Sequence, residues 1–305
     1  MRRPAFSPAA LKAAGRVAGA TAAGVVLTAC GSGDGTGEQP DDTAAGGAQS
    51  SEPVPPSAIS HVHALEVDPA DPERVYVATH EGLFGFEAGS GLQRVGDIRS
   101  DFMGFAVGPD GRLLGSGHPS PDEGGPFALG LISSTDAGRS WEPVALDGEA
   151  DFHALDASDG VVIGYDAANG VLRVSDNGRT FTAVEDAPAF IDLATDPTRD
   201  RVLGTTGEAV LVASDDGGRT FAAVAGAPPL VLVDVAEDGT IIGIGVDGAV
   251  HAASDGKSWQ QREGAADQGL QAFTAGPNGA VWLLDSRGLV RSSDLGDSFS
   301  AVEGW

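Results

Sequence analysis

A short turn repeated five times at nearly even spacing restricts the fold of this chain more than any other feature. It reads Ser134-Thr135-Asp136-Ala137-Gly138-Arg139-Ser140-Trp141, then Val174-Ser175-Asp176-Asn177-Gly178-Arg179-Thr180-Phe181, Ser214-Asp215-Asp216-Gly217-Gly218-Arg219-Thr220-Phe221 and Ser292-Ser293-Asp294-Leu295-Gly296-Asp297-Ser298-Phe299. A shortened copy, Ser254-Asp255-Gly256-Lys257-Ser258-Trp259, fills the remaining gap. Its aspartates fall at 136, 176, 216, 255 and 294, a period of 39 to 40 residues. Within each turn the Asp accepts backbone N–H groups, the Gly takes positive φ, and the closing aromatic is free to enter an apolar layer. A period of this length built from short β-runs implies a propeller in which each repeat is one four-stranded blade.

Laid over one another, the repeats open with equivalent inner strands. These are His61-Val62-His63-Ala64-Leu65, Asp101-Phe102-Met103-Gly104-Phe105, Asp151-Phe152-His153-Ala154-Leu155, Ala189-Phe190-Ile191-Asp192-Leu193, Leu230-Val231-Leu232-Val233-Asp234 and Leu270-Gln271-Ala272-Phe273-Thr274. Second strands follow at 74–80, 112–118, 161–166, 201–206, 240–245 and 280–285. The expectation is an all-β, six-bladed β-propeller over residues 61–305, in which the first blade keeps the strand pattern but lacks the turn. At 41% hydrophobic residues the chain has enough apolar side chains for such a core.

The ends read differently. Residues 1–29 have a basic start at Arg2, Arg3, Lys12 and Arg16 and then an apolar run, and Leu27-Thr28-Ala29-Cys30 matches a bacterial lipobox. Cys30, the one cysteine of the chain, is expected to carry the lipid. Residues 30–60 are then the lipidated Cys and a disordered tether of Gly, Ser, Asp, Thr and Pro. The expected location is extracytoplasmic, lipid-anchored to the cell membrane, which the chain would touch through its anchor only. Loss of residues 1–29 would leave 14 basic against 44 acidic residues, a net charge of −30, which argues against nucleic acid and anionic surfaces as partners. Small ligands, glycans and envelope proteins remain.

With strand period 2, inner-strand positions one and three share a side. In the first three blades they hold His61 and His63, Asp101 and Met103, Asp151 and His153; in the last three they are apolar. The second strands end in His80, His118 and Asp166 on the same three blades, so five of six histidines should gather at one mouth of the ring, with His251 apart. Imidazoles with carboxylates suit zinc or copper(II), and Met103 would suit copper(I). The first expectation is a metal site from His61, His63, His80, His118 and His153, with Asp101 and Asp151 as ligands or orienters. The second is glycoside hydrolysis, with Asp101 and Asp151 as a catalytic pair. A protein-interaction or assembly scaffold comes third. The segment 119–128 should arch over this mouth. Gly243-Ile244-Gly245-Val246-Asp247-Gly248 sits in a strand and hairpin and not before a helix, so it makes no dinucleotide site.

The repeated turn matches the Asp-box, and the chain resembles the BNR/Asp-box repeat propellers, a group that includes the sialidases. His61-Val62-His63-Ala64-Leu65, Ala78-Thr79-His80-Glu81-Gly82-Leu83-Phe84, Asp101-Phe102-Met103-Gly104-Phe105 and Ser116-Gly117-His118-Pro119 look like a bacterial family of secreted or lipid-anchored propellers that carries the label glycosyl hydrolase or exo-alpha-sialidase-like. The resemblance implies the propeller fold. It does not extend to the three arginines and the Tyr–Glu pair of sialidases: the inner positions hold no arginine, and Arg139, Arg179 and Arg219 belong to the turns. An enzyme here would be a glycoside hydrolase other than a true sialidase. More distantly the chain is similar to the photosystem II assembly factor propellers, which are binding scaffolds.

Overall fold

The computed structural model describes residues 52–305 except 123 and 160. The signal segment and Cys30 lie outside the described residues. Six four-stranded antiparallel sheets follow one another along the chain, each built from four consecutive strands. The innermost strands are Val62–Asp68, Asp101–Val107, Phe152–Ser158, Phe190–Asp196, Leu230–Val235 and Ala272–Ala275. All six contribute walls to a single axial cavity, so the sheets close into a ring of blades around a channel.

Because the centre is a channel, the hydrophobic core lies between neighbouring blades as six separate clusters. Phe102, Leu83, Val95 and Ile132 fill the boundary of blades 1 and 2, and Phe152, Ala106, Leu114 and Leu131 that of blades 2 and 3. Each full burial of such a side chain contributes about 1.5–3 kcal/mol. The closing aromatic of each turn enters the boundary with the preceding blade: Trp141 lies 5.1 Å from Phe102, Phe181 5.7 Å from Phe152, and Phe221 5.0 Å from Phe190. Blade 1 has no such turn, and the last residue of the chain replaces its aromatic. Trp305 packs 5.4 Å from Phe86 in the cluster between blades 6 and 1.

Among the described residues, ring closure uses no shared strand. Gln271 Oε1 accepts the Val62 N–H at 2.9 Å, and Arg291 holds Glu73 through two bonds of 2.7 and 2.6 Å. Val54 donates its N–H to Leu92 O at 2.8 Å, and Val54 and Ile59 pack on the closing cluster, so residues assigned to the tether by sequence lie against blade 1.

Two details of register correct the sequence alignment. In blade 3 the turn is anchored by Asn177 and not by Asp176: Ser175 Oγ bonds Asn177 Oδ1 at 3.1 Å, which also accepts the Thr180 N–H at 2.9 Å, while Asp176 pairs with Arg219 at 3.1 Å. The full turns carry two successive left-handed residues, Ala137-Gly138, Gly217-Gly218 and Leu295-Gly296, whereas the blade 3 and blade 5 turns carry one, Gly178 and Gly256. There are thus three full turns and two shortened by one residue. Secondly, Leu230 covers Gly243 as Phe152 covers Gly164, and a Cβ on either glycine would meet that side chain at 2.5 Å. Leu230 therefore occupies the second position of its blade, not the first, and by the same pairing so does Leu270. Position three is then Val231 in blade 5 and Gln271 in blade 6.

Candidate functional site

The first strand of each blade starts at the end of the ring where the second strand finishes, as the pairs Val62–Thr79, Asp101–His118 and Phe152–Asp166 show. The Asp-box turns lie at the other end. Between positions two and four of the inner strand the pairing register slips by one residue in blades 1 to 5. A bulge of this kind re-aims the extra side chain. The residues so placed are His63, Met103, His153, Ile191 and Val231, and the first three line the mouth of the axial cavity with Gln271.

The histidines gather as two groups, each straddling a blade boundary. Where blades 1 and 2 meet, Asp101 Oδ2 lies 2.8 Å from His80 Nδ1, and Asp101 Oδ1 lies 3.7 Å from His63 Nε2. His63 Nε2 is 3.5 Å from His80 Nδ1, and the His61 ring sits 4.7 Å from His63 and 5.5 Å from His80. Across the boundary of blades 2 and 3, Asp151 Oδ2 lies 2.9 Å from His153 Nε2 and 3.4 Å from His118 Nε2. In both groups all ligand atoms lie within 4.8 Å of one another. Asp101 Oδ1 and Asp151 Oδ1 are buried and accept no hydrogen bond.

Electrostatics separate the two groups. Burial, with the neighbouring His80 imidazole, pushes His63 down to about 4, so it is neutral at physiological pH. The hydrogen bond to Asp151 raises His153 instead. His118 gives its Nδ1–H to Phe127 O at 3.1 Å, which turns Nε2 toward Asp151. That carbonyl belongs to the long connection of blade 2, whose Leu129 N–H returns to Gly117 O at 2.8 Å, and the Phe127 ring covers His118 at 5.2 Å while remaining 78% exposed. The end of the connection thus lies against the blade 2 side of the site.

Other polar residues lie away from the open mouth. Asp166 is fully buried and bound to Arg173 at 2.9 Å; it faces no open site but receives the Asp151 N–H at 3.3 Å and so fixes where Asp151 starts. His251 lies apart on the third strand of blade 5, Ala249–Ala253. Tyr76 and Tyr165 pack in inter-blade clusters. Sequence reasoning missed the Phe127 carbonyl, which no side-chain pattern encodes, and Gln271, hidden by the one-residue shift in alignment. It also missed four carboxylates deeper in the channel, Glu66, Asp156, Asp192 and Asp234, although Asp192 and Asp234 interrupt otherwise apolar runs.

No family model matches the chain, and no curated protein resembles it in sequence. Among solved structures it is similar to a putative gluconolactonase, with TM-score 0.56 and 15% identity over 76% of this chain and 88% of that one. A xyloglucanase of glycoside hydrolase family 74 from Xanthomonas campestris superposes with TM-score 0.52 and 18% identity, covering 79% of this chain and 45% of the enzyme. YCF48 from Cyanidioschyzon merolae gives TM-score 0.50 and 13% identity over 82% and 86% of the two chains. At these identities the likeness is one of β-propeller architecture, and the chemistry of the mouth has to be argued from its own residues.

Proposed function

We propose that this chain is a lipid-anchored extracytoplasmic β-propeller that binds transition-metal ions, zinc or copper, through the His/Asp groups of blades 1 to 3. His63, His80 and Asp101 form one set of ligands, with His61 beside it; His118, His153 and Asp151 form the other, and Met103 stands at the mouth they share. One observation carries the reading. Ligands bound at 2.0–2.2 Å to a tetrahedral ion are about 3.4 Å apart, and the spacings within the two groups are 2.8, 3.5 and 3.7 Å, and 2.9 and 3.4 Å. The buried, unbonded Oδ1 atoms of Asp101 and Asp151 would meet the charge they lack. Nitrogen and carboxylate donors favour Zn(II) or Cu(II), and the Phe127 carbonyl on His118 Nδ1 is the kind of orienting partner a ligating imidazole uses.

The hydrolase alternative loses ground on the same contacts. Asp101 lies against His63 and His80, and Asp151 against His118 and His153, so neither stands as a free acid or nucleophile.

Metal analysis of protein purified without an affinity tag, loaded with zinc and desalted, tests the proposal. About two ions per chain are expected from two three-residue sets, one in either His63→Ala or His153→Ala, and none in the double variant. Copper and zinc at background in all four samples, with no binding on titration, would remove the metal reading.

A further inference from the structure

Beneath the imidazoles the axial channel continues to the Asp-box end, where it widens into a cavity of about 810 Å³. The small cavity under the histidines and this larger one share Glu66, Asp156 and Asp234 in their walls, so those carboxylates form a waist between them, with Asp192 just above. Three of the four have structural bonds. Asp156 accepts from Thr195 Oγ1 at 2.9 Å, Asp192 from the Val233 N–H at 2.9 Å, and Asp234 from the Ala275 N–H at 2.7 Å, each reaching the next blade. Glu66 has no hydrogen-bond partner and no cation beside it among the described residues. Its side chain is part-buried and faces the channel at the waist, and desolvation there together with Asp234, Asp156 and Asp192 raises it well above the usual range.

No basic side chain pairs with any of the four among the described residues, so the waist lacks a counter-charge. A bare metal ion does not fit it. Such an ion holds oxygens at about 2.0–2.6 Å, yet only the two His/Asp groups bring three ligand atoms within 4.8 Å of one another among the described residues. The site calls for a longer cation that carries its own N–H donors to several separated carboxylates. At the wide end Asp159 and Asp200 stand exposed at the rim, its two arginines are paired, Arg199 with Asp196 and Arg219 with Asp176, and Val107 and Pro197 give the wall apolar surface for methylenes.

We propose that the Asp-box end of the channel binds a linear alkyl polyamine, with one ammonium at Glu66 in the waist and another at the acidic rim. The cation would be read by charge and reach along the axis, independently of any metal at the opposite mouth. Ammonium binding would also draw the waist carboxyls into their ionised form and release protons.

Isothermal titration of the protein with spermidine, at low and at physiological salt and in two buffers of different ionisation enthalpy, tests this. The expected result is saturable one-site binding with proton release, weakened about tenfold in Glu66→Gln through loss of one buried charge contact and unchanged in His63→Ala/His153→Ala. Glu66 holds no other group, so Glu66→Gln should fold with a melting temperature no lower than the parent's, which is measured alongside. The absence of saturable binding at low salt would overturn the proposal. So would equal affinity in Glu66→Gln and the parent, which would mean diffuse attraction to an acidic surface. Loss of spermidine binding in the histidine variant would place the ligand at the other mouth and overturn it as well. Since no metal takes part, this outcome and that of the metal analysis are separate.

Discussion

Aspartates in the outer turns and aspartates along the axis accept similar hydrogen bonds, with opposite consequences for their protons. Asp136 takes bonds from Ser134 Oγ at 2.8 Å, the Ser140 N–H at 2.9 Å and Ser140 Oγ at 2.6 Å, and these hold it down at about 2. Asp255 and Asp294 are held at about 2 in the same way. Asp156 takes bonds from the Ala157 N–H at 2.7 Å and Thr195 Oγ1 at 2.9 Å, yet burial and the Asp234 carboxylate push it up to about 7. Asp192 stands at about 7 and Asp234 at about 6, for the same first reason. Donors alone do not set the charge of a carboxyl. In water the donors decide; in a narrow channel desolvation and like charge outweigh them.

The sharpest consequence is in the pH dependence of stability. Between roughly pH 4, where an unfolded aspartate titrates, and pH 7, the folded channel keeps protons that the unfolded chain has released, so stability falls as pH rises through this window. For one carboxyl moved by about three units the loss approaches about 4 kcal/mol, and the coupled set gives less than the sum of its members. Box aspartates act with the other sign and lower down, adding stability above pH 4 that is lost as pH falls toward 2. His63, held at about 4, opposes the channel between pH 4 and 6.5, but it is one group against four. Calorimetry should find the highest melting temperature near pH 4–5 and a decline to pH 8, flattened in Asp156→Asn/Asp192→Asn. A melting temperature that climbs from pH 4.5 to 8 would reverse the assignment.

The same contrast predicts unequal costs of removal. Asp234→Ala leaves the Ala275 and Val235 N–H groups and the Thr274 hydroxyl without their acceptor inside the channel, which costs about 3 kcal/mol. Asp294→Ala strips a comparable set, but Ser298 and its neighbours can turn to water, so its denaturant midpoint should fall by clearly less. Equal shifts in the two variants would show that enclosure does not matter to these straps.

The fold was legible because the turn that repeats is also the turn that positions each blade's aromatic, so sequence period and packing period coincide. The gathering of the histidines was legible for a related reason: ring closure brings equivalent positions of adjacent blades together, which places His63 beside Asp101 and His118 beside Asp151. The division into two groups was not, since it depends on a bulge at position three that strict alternation does not contain. Nor was the acidic waist. Asp192 and Asp234 read as interruptions of apolar strands, and their common direction appears only once blade 5 is shifted by one residue, so that Asp156 and Asp234 occupy the same place in the ring. The 40-residue spacing points to Asp176 as the anchor of the blade 3 turn. The hydroxyl of Ser175 chooses Asn177 instead, since the turn has lost one of its two left-handed residues.

That substitution within the family of turns offers the finest test of the comparison. Asn177 Oδ1 accepts the N–H groups of Arg179 and Thr180, both at 2.9 Å, which reproduces half of what Asp216 does. Asp216 uses its second oxygen for the Thr220 hydroxyl at 2.6 Å, and an amide nitrogen at that place has no lone pair to accept the equivalent Thr180 hydroxyl. Asn177→Asp should supply the missing acceptor on an exposed turn and add about 0.5–1 kcal/mol, offset in part by the adjacent Asp176, which lies within reach of Arg219. The gain should vanish in the background Thr180→Val, measured as a double-mutant cycle by urea denaturation. A gain that survives Thr180→Val would mean that charge on the turn stabilises it, and not the bond. Box and channel aspartates would then differ in their response to charge itself, beyond the water around them.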